Sequence, residues 1–122
     1  MIKKVYYLST CDSNKRILKE LNLSKEFVKQ EIKANPVNEN ELEKLYNYTG
    51  NYENLVNKRS RLYTSRKLSA KNLTEIDFKN LILEHYTFLK RPIIIFNDNI
   101  FVGNSKKTIQ AAKTAIHETS IL

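Results

Sequence analysis

The 122-residue chain has one cysteine, two glycines and two histidines. A lone thiol, Cys11, cannot form an internal disulfide, which suits a reducing compartment. Two glycines exclude a glycine-rich phosphate loop. Two histidines and one cysteine, with no close spacing among them, supply no metal-ligand set. No Ser-His-Asp arrangement is suggested. No repeat, low-complexity stretch or linker interrupts the chain. Long apolar runs are missing too. The basic start, Met1-Ile2-Lys3-Lys4, looks like a signal n-region, but the apolar stretch behind it ends at Leu8. That is too short for a signal h-region or a membrane span. The expectation is a soluble cytoplasmic protein with no membrane partner, no bound cofactor and no metal.

What is present suffices for one domain over residues 1–122. At 41% hydrophobic, the chain can bury roughly two-thirds of its unfolded surface. Formal net charge is +8, which favours anionic partners. Most basic residues are interleaved with acids, as on solvated helix faces. Asn54 to Thr74 is the exception, with Lys58, Arg59, Arg61, Arg66, Lys67 and Lys71 and no acid. Six bases there are too sparse for a nucleic-acid arm, so no direct nucleic-acid contact is expected. A solvated helix or a local anion site fits them better.

Val5 to Leu8 reads as a buried strand. Cys11-Asp12-Ser13-Asn14 is a turn and helix start. Ile17, Leu18 and Leu21 then mark one apolar helix face. Phe27, Val28 and Ile32 suggest a second strand, closed at Asn35-Pro36. The crossover is long enough for two parallel strands. Asn38 to Glu41 has a capping-box pattern; Leu42, Leu45 and Tyr46 continue it as a helical stripe, and Gly50 is its C-cap. Tyr52, Leu55, Val56, Leu62 and Tyr63 read as further helical turns. Thr74 and Asp77 open another helix, with Phe78, Leu81, Ile82 and His85 on one face. His85 reads as a packed or capping side chain rather than a ligand. Pro92 to Phe96 and Ile100 to Val102 form a hairpin across Asn97-Asp98-Asn99. Gly103-Asn104-Ser105 leads to a last helix lined by Ile109, Ala112 and Ile116. From His117 onward the tail is expected to fray, leaving His117 solvated.

The order is β-α-β, a helical middle, then β-β-α. This is the arrangement of the thioredoxin fold: an α/β protein with a mixed sheet and a helical insertion at about 38–89.

The chemistry concentrates at Cys11. A cysteine between a strand's carboxyl end and a helix's amino end meets free N–H groups and the positive end of the helix dipole. Both favour a thiolate. Lys15 or Arg16 can add positive charge. Asp12 opposes it, since a neighbouring carboxylate disfavours a thiolate, unless its side chain turns away to cap the helix. The competing reading is a lone cysteine that packs as a small hydrophobe.

With Cys11, Lys15, Arg91-Pro92-Ile93 and Gly103-Asn104-Ser105 in view, the chain resembles the arsenate-reductase (ArsC-like) family. That family also includes Spx-type transcription regulators and glutathione-dependent thiol reductases. YYLSTCDSNKRILKEL looks like the family's strand, cysteine turn and first helix. KRPIIIFNDNIFVGNSKKTIQAA looks like its terminal hairpin and helix. LVNKRSRLY looks like its mid-chain basic segment. The resemblance implies a thioredoxin-like fold with Cys11 as nucleophile and Lys15 as the basic residue four positions on. Arg91 matches an oxyanion-contacting arginine, and Pro92 a proline that is cis in such sites. Arg59 matches a mid-chain arginine, with Arg61 close enough to compete. Lys15 stands where arsenate reductases carry arginine, and Val102-Gly103 where they carry another; both departures count against arsenate itself. Asn14 replaces the second cysteine of redox-sensing Spx-type members, so an internal disulfide switch is excluded. The resemblance therefore implies a one-cysteine thiol reductase acting on a small oxyanion or a mixed disulfide. Glutathione would be its co-substrate and glutaredoxin its partner. The alternative is an Spx-like regulator that binds an RNA polymerase subunit without catalysis.

Overall fold

In the computed structural model, which describes residues 2–119, the chain divides into two units. The first comprises residues 1–35 and 91–122, the second residues 36–90.

The first unit is a four-stranded mixed sheet. Its strands are β1 (Lys3–Tyr7), β2 (Val28–Glu31), β3 (Ile93–Phe96) and β4 (Asn99–Val102), in the order β2-β1-β3-β4. β1 runs parallel to β2 and antiparallel to β3, with Val5 opposite Ile94 and Tyr6 opposite Ile93. The parallel pair needs the crossover through α1 (Asp12–Leu21) that the sequence pattern predicts. All four residues of β3 are buried, as expected of a central strand with an unbroken apolar run. Val5, Ile94 and Phe96 pack with Ile17 and Leu21 of α1 and with Ile109, Ala112 and Ile116 of α5 (Lys106–Thr119). The i, i+3, i+4, i+7 spacing of those helix residues puts them on one face.

β2 differs from expectation. None of its four residues is buried, and Val28 is 59% exposed. The apolar anchors Phe27 and Ile32 flank it instead, Phe27 facing Phe96 with ring centroids 6.2 Å apart. The reason is position: β2 is an edge strand, so only its ends reach the core. The hairpin differs as well. Asn99 pairs with Phe96, so the turn is Asn97-Asp98 alone, and Asn97 takes the left-handed conformation (φ 57°). Gly103 (φ 95°) ends β4, and Ser105 Oγ accepts the Thr108 N–H at the start of α5. His117 does not mark a frayed end. α5 continues through Thr119, and His117 Nε2 lies 2.7 Å from the Leu21 carbonyl at the end of α1. The rest of the predicted frayed tail, residues 120–122, lies outside the described residues.

The second unit is helical. It holds α2 (Glu39–Thr49), α3 (Arg61–Ser65) and α4 (Glu75–Glu84), with 3₁₀ turns at Glu53–Leu55, Leu68–Ala70 and Tyr86–Phe88. Its fully buried side chains include Leu42, Leu45, Leu55, Val56 and Phe88. The predicted capping box forms at Asn38/Glu41, and the predicted helix start at Thr74/Asp77 closes as a second box. Gly50 closes α2 at φ 79°, a conformation that glycine adopts without a Cβ clash. His85 Nδ1 accepts the Thr87 N–H, a capping role as expected. The basic stretch is partly neutralised from outside itself. Lys58 pairs with Glu53, and Arg66 grips both carboxylate oxygens of Glu84. Asn38→Ala removes the Oδ1 that accepts the Glu41 N–H at 2.8 Å. It is expected to cost about 1 kcal/mol, read by chemical denaturation.

Candidate functional site

Cys11 is the N-cap residue of α1, in extended conformation (φ −97°, ψ 114°). Its carbonyl accepts the Lys15 N–H at 3.1 Å, the first bond of the helix. Its own N–H donates to the Leu8 carbonyl at 3.1 Å. The turn is thus tied at both ends, and the thiol is partly exposed.

Three groups surround the sulfur. Ser13 Oγ lies 3.1 Å from Sγ. Asn14 Nδ2 donates to Sγ at 3.6 Å. Arg91 acts through its charge. Burial raises the thiol's pKa, but the Ser13 hydroxyl, the backbone N–H groups of Asn14 and Ser13, and the Arg91 charge outweigh it. The net displacement is downward from the ordinary value of 9.0. The fixed hydrogen-bond donors at the helix start therefore favour the thiolate.

Asn14 is fully buried. Besides facing the sulfur, it accepts the Leu8 N–H on Oδ1 at 3.0 Å. One amide thereby joins the end of β1, the first turn of α1 and the thiol. Asp12 is exposed, and the Cys11 side chain makes no capping hydrogen bond to the helix start. Lys15 is exposed as well. Arg91 and Pro92 enter just before β3, and their peptide bond is cis. The Pro92 carbonyl accepts the Gly103 N–H at 2.9 Å, which ties the cis-proline turn to the end of β4. Cys11, Asn14, Arg91 and Pro92 all belong to the sheet unit, whereas Arg59 and Arg61 are exposed residues of the helical unit.

Two residues of the site carry no distinguishing sequence signal. Ser13 is an ordinary member of the turn cluster in sequence, yet its hydroxyl faces the sulfur. Glu31 is the other. Its Oε2 accepts the Ser9 N–H (2.8 Å) and the Ser9 hydroxyl (3.0 Å). Its Oε1 accepts the N–H groups of Lys33 (2.8 Å) and Ala34 (2.7 Å). The available signal was the parallel pairing, which puts Glu31 opposite Tyr7 and level with the cysteine turn. Burial raises the Glu31 pKa, and these four donors more than offset it, leaving it below 4.5. A depressed carboxyl stabilises the fold fully above its unfolded value. That contribution is lost as pH falls through the folded value. Glu31→Gln is therefore expected to flatten the loss of stability below about pH 4.5, measured by denaturation at a series of acid pH values.

Among the described residues no His, Cys, Asp and Glu side chains group as a metal site. No described helix is long and apolar enough to cross a membrane.

A parallel β-α-β unit followed by a β-hairpin and helix, with a cysteine at the first helix start and a cis-proline before the hairpin, defines a thioredoxin-like protein. A sequence model of the ArsC family matches residues 6–112, and the chain belongs to that family. It is 29% identical over 86 residues to the global transcriptional regulator Spx of Streptococcus mutans. That match covers 70% of this chain and 63% of the regulator, so it spans less than two-thirds of that relative's length. Among solved structures, an ArsC family related protein from Bacteroides fragilis superposes with a TM-score of 0.73 at 21% identity, covering 92% of this chain and 98% of that one. Arsenate reductase from Vibrio cholerae gives 0.67 at 18% identity, covering 97% and 98%. At these identities the two structures establish the shared fold.

Proposed function

We propose that the protein is a one-cysteine thiol reductase. The observation that carries this reading is the surroundings of Cys11 Sγ: the Ser13 hydroxyl at 3.1 Å, the Asn14 amide at 3.6 Å and the Arg91 charge. These stabilise a thiolate at the mouth of a helix, and the thiolate is the reactive form.

With a glutathione mixed disulfide, the Cys11 thiolate attacks the glutathione sulfur. The Cys11–S–S–glutathione bond forms, the substrate's S–S bond breaks, and the substrate thiolate leaves to take a proton from water. A second glutathione thiolate then attacks the glutathione sulfur of that intermediate. Oxidised glutathione departs and Cys11 returns as thiolate. One disulfide is reduced and one is formed. Asn14 occupies the position from which a second cysteine would resolve the intermediate, so the resolving thiol comes from glutathione or glutaredoxin. Arsenate is the second candidate substrate. There the net change is arsenate plus two thiols giving arsenite, a disulfide and water, with Lys15 and Arg91 of the sheet unit as the cations to hold the oxyanion. Such chemistry requires a reducing compartment, which favours the cytoplasm.

The test is the pH dependence of Cys11 alkylation, joined to turnover of a glutathione mixed disulfide and of arsenate with glutathione and glutaredoxin. A thiol that titrates below its ordinary range and turns over either substrate supports the reading. An ordinary titration, or no turnover of both, overturns it.

The relation to Spx favours a second reading, a regulator that binds an RNA polymerase subunit without catalysis. It predicts a stable complex with that subunit and no turnover; a clean negative in a direct binding assay overturns it.

A further inference from the structure

We infer that Glu31 is a positioning residue for Cys11, holding the turn between β1 and α1 so that the thiol stays at the helix start. The inference rests on the reading of Cys11 as the reactive group. Glu31 does not touch the sulfur and acts through the backbone of Ser9.

The bonding around Glu31 is unusual for a surface carboxylate. An ionised carboxylate offers about four acceptor sites. Here the two oxygens receive four hydrogen bonds, all from uncharged donors in two loops: the Ser9 N–H and hydroxyl, and the N–H groups of Lys33 and Ala34. Glu31 thus joins the turn after β1 to the turn after β2. The Ile32 N–H adds a bond to the Tyr7 carbonyl at 2.9 Å beside it. Charge-assisted bonds of this kind are the stronger class.

The path from Ser9 to the sulfur is short. Leu8, one residue earlier, has its N–H held by Asn14 and its carbonyl held by the Cys11 N–H. Without Glu31, nothing else in the described bonding holds the Ser9 N–H. The segment from Ser9 to Cys11 would then be held only by the Cys11 N–H and carbonyl bonds to Leu8 and Lys15, and the looser turn would let the sulfur drift from Ser13 Oγ and Asn14 Nδ2. An ordinary ion pair would hold this turn less well, because a lysine partner swings on a flexible stem, whereas backbone donors are fixed in place.

The experiment is the pH profile of Cys11 alkylation by iodoacetamide in the full chain, compared with Glu31→Gln, alongside thermal unfolding of both. Glutamine keeps the shape but has one acceptor oxygen and turns N–H groups toward two of the donors. Expected is a rate about fivefold lower at pH 7, merging with the wild-type rate well above the ordinary thiol range. The merging separates loss of thiolate from loss of access. A folded Glu31→Gln protein with the wild-type profile, however much its unfolding temperature falls, overturns the inference. If Glu31→Gln does not fold, Glu31→Asp keeps the charge but shortens the side chain by one methylene, so its carboxylate cannot hold the Ser9 N–H and the Lys33 and Ala34 N–H groups together. It is expected to lower the rate in the same direction by a smaller factor, and an unchanged profile there overturns the inference equally. Failure of the underlying reading looks different: the wild-type thiol itself then titrates as an ordinary cysteine.

Discussion

Cys11→Ser is expected to abolish reduction of a glutathione mixed disulfide, by about a thousandfold or more, while leaving the fold in place. Disulfide exchange needs a thiolate, and a serine hydroxyl stays protonated at neutral pH. Serine is close to cysteine in size and can make the same contact with Ser13 Oγ, now 3.1 Å from the sulfur. The Cys11 N–H and carbonyl bonds to Leu8 and Lys15 are backbone bonds that the substitution does not touch. Stability should therefore change by less than about 1 kcal/mol. Turnover and chemical denaturation, measured on the same preparation, check both halves. A variant within tenfold of the wild-type rate would remove Cys11 from the role of nucleophile. A variant that loses activity only because it unfolds would show itself in the denaturation curve.

The elements that were legible in the sequence are those whose signals are local and redundant. Asn38 with Glu41, and Thr74 with Asp77, announce helix starts through residues three apart, and both boxes form. Gly50 announces a helix end by the one conformation that favours it. β3 is buried at every residue, so its signal is an unbroken apolar run. β2 was harder. As an edge strand its own residues face water, so the pattern pointed to Phe27 and Ile32 on either side of it. Cys11 stood out from its place between a strand and a helix. Its partners stood out less, because Ser13 and Asn14 are also ordinary helix-start residues. Glu31 is the clearest case. A glutamate at a strand end is unremarkable in a list of residues, and its role depends on a turn 22 positions away. Only pairing of β1 with β2 brings the two together.

Asn14→Ala is expected to cost about 2–4 kcal/mol of stability and to slow Cys11 alkylation at neutral pH. The side chain is fully buried, so its hydrogen bonds are not exchanged for water when it is removed. The Leu8 N–H, now bonded to Oδ1 at 3.0 Å, would be left without a partner beside a buried side chain. An orphaned buried donor costs about 1–3 kcal/mol, and the cavity left by the amide adds to that. Alanine's higher helix propensity returns only about half a kcal/mol. The sulfur loses the Nδ2 donor at 3.6 Å at the same time. Asn14→Asp separates the two effects. It keeps an acceptor for the Leu8 N–H but removes the donor and puts a carboxylate beside the sulfur, which disfavours the thiolate. Its alkylation rate at neutral pH should fall below that of Asn14→Ala. If Asn14→Asp instead reacts as fast as wild type, the amide serves the fold alone and the thiolate depends on Ser13, the helix start and Arg91. The position that in a two-cysteine relative would hold the resolving thiol then acts here only as a tie between the end of β1 and the first turn of α1.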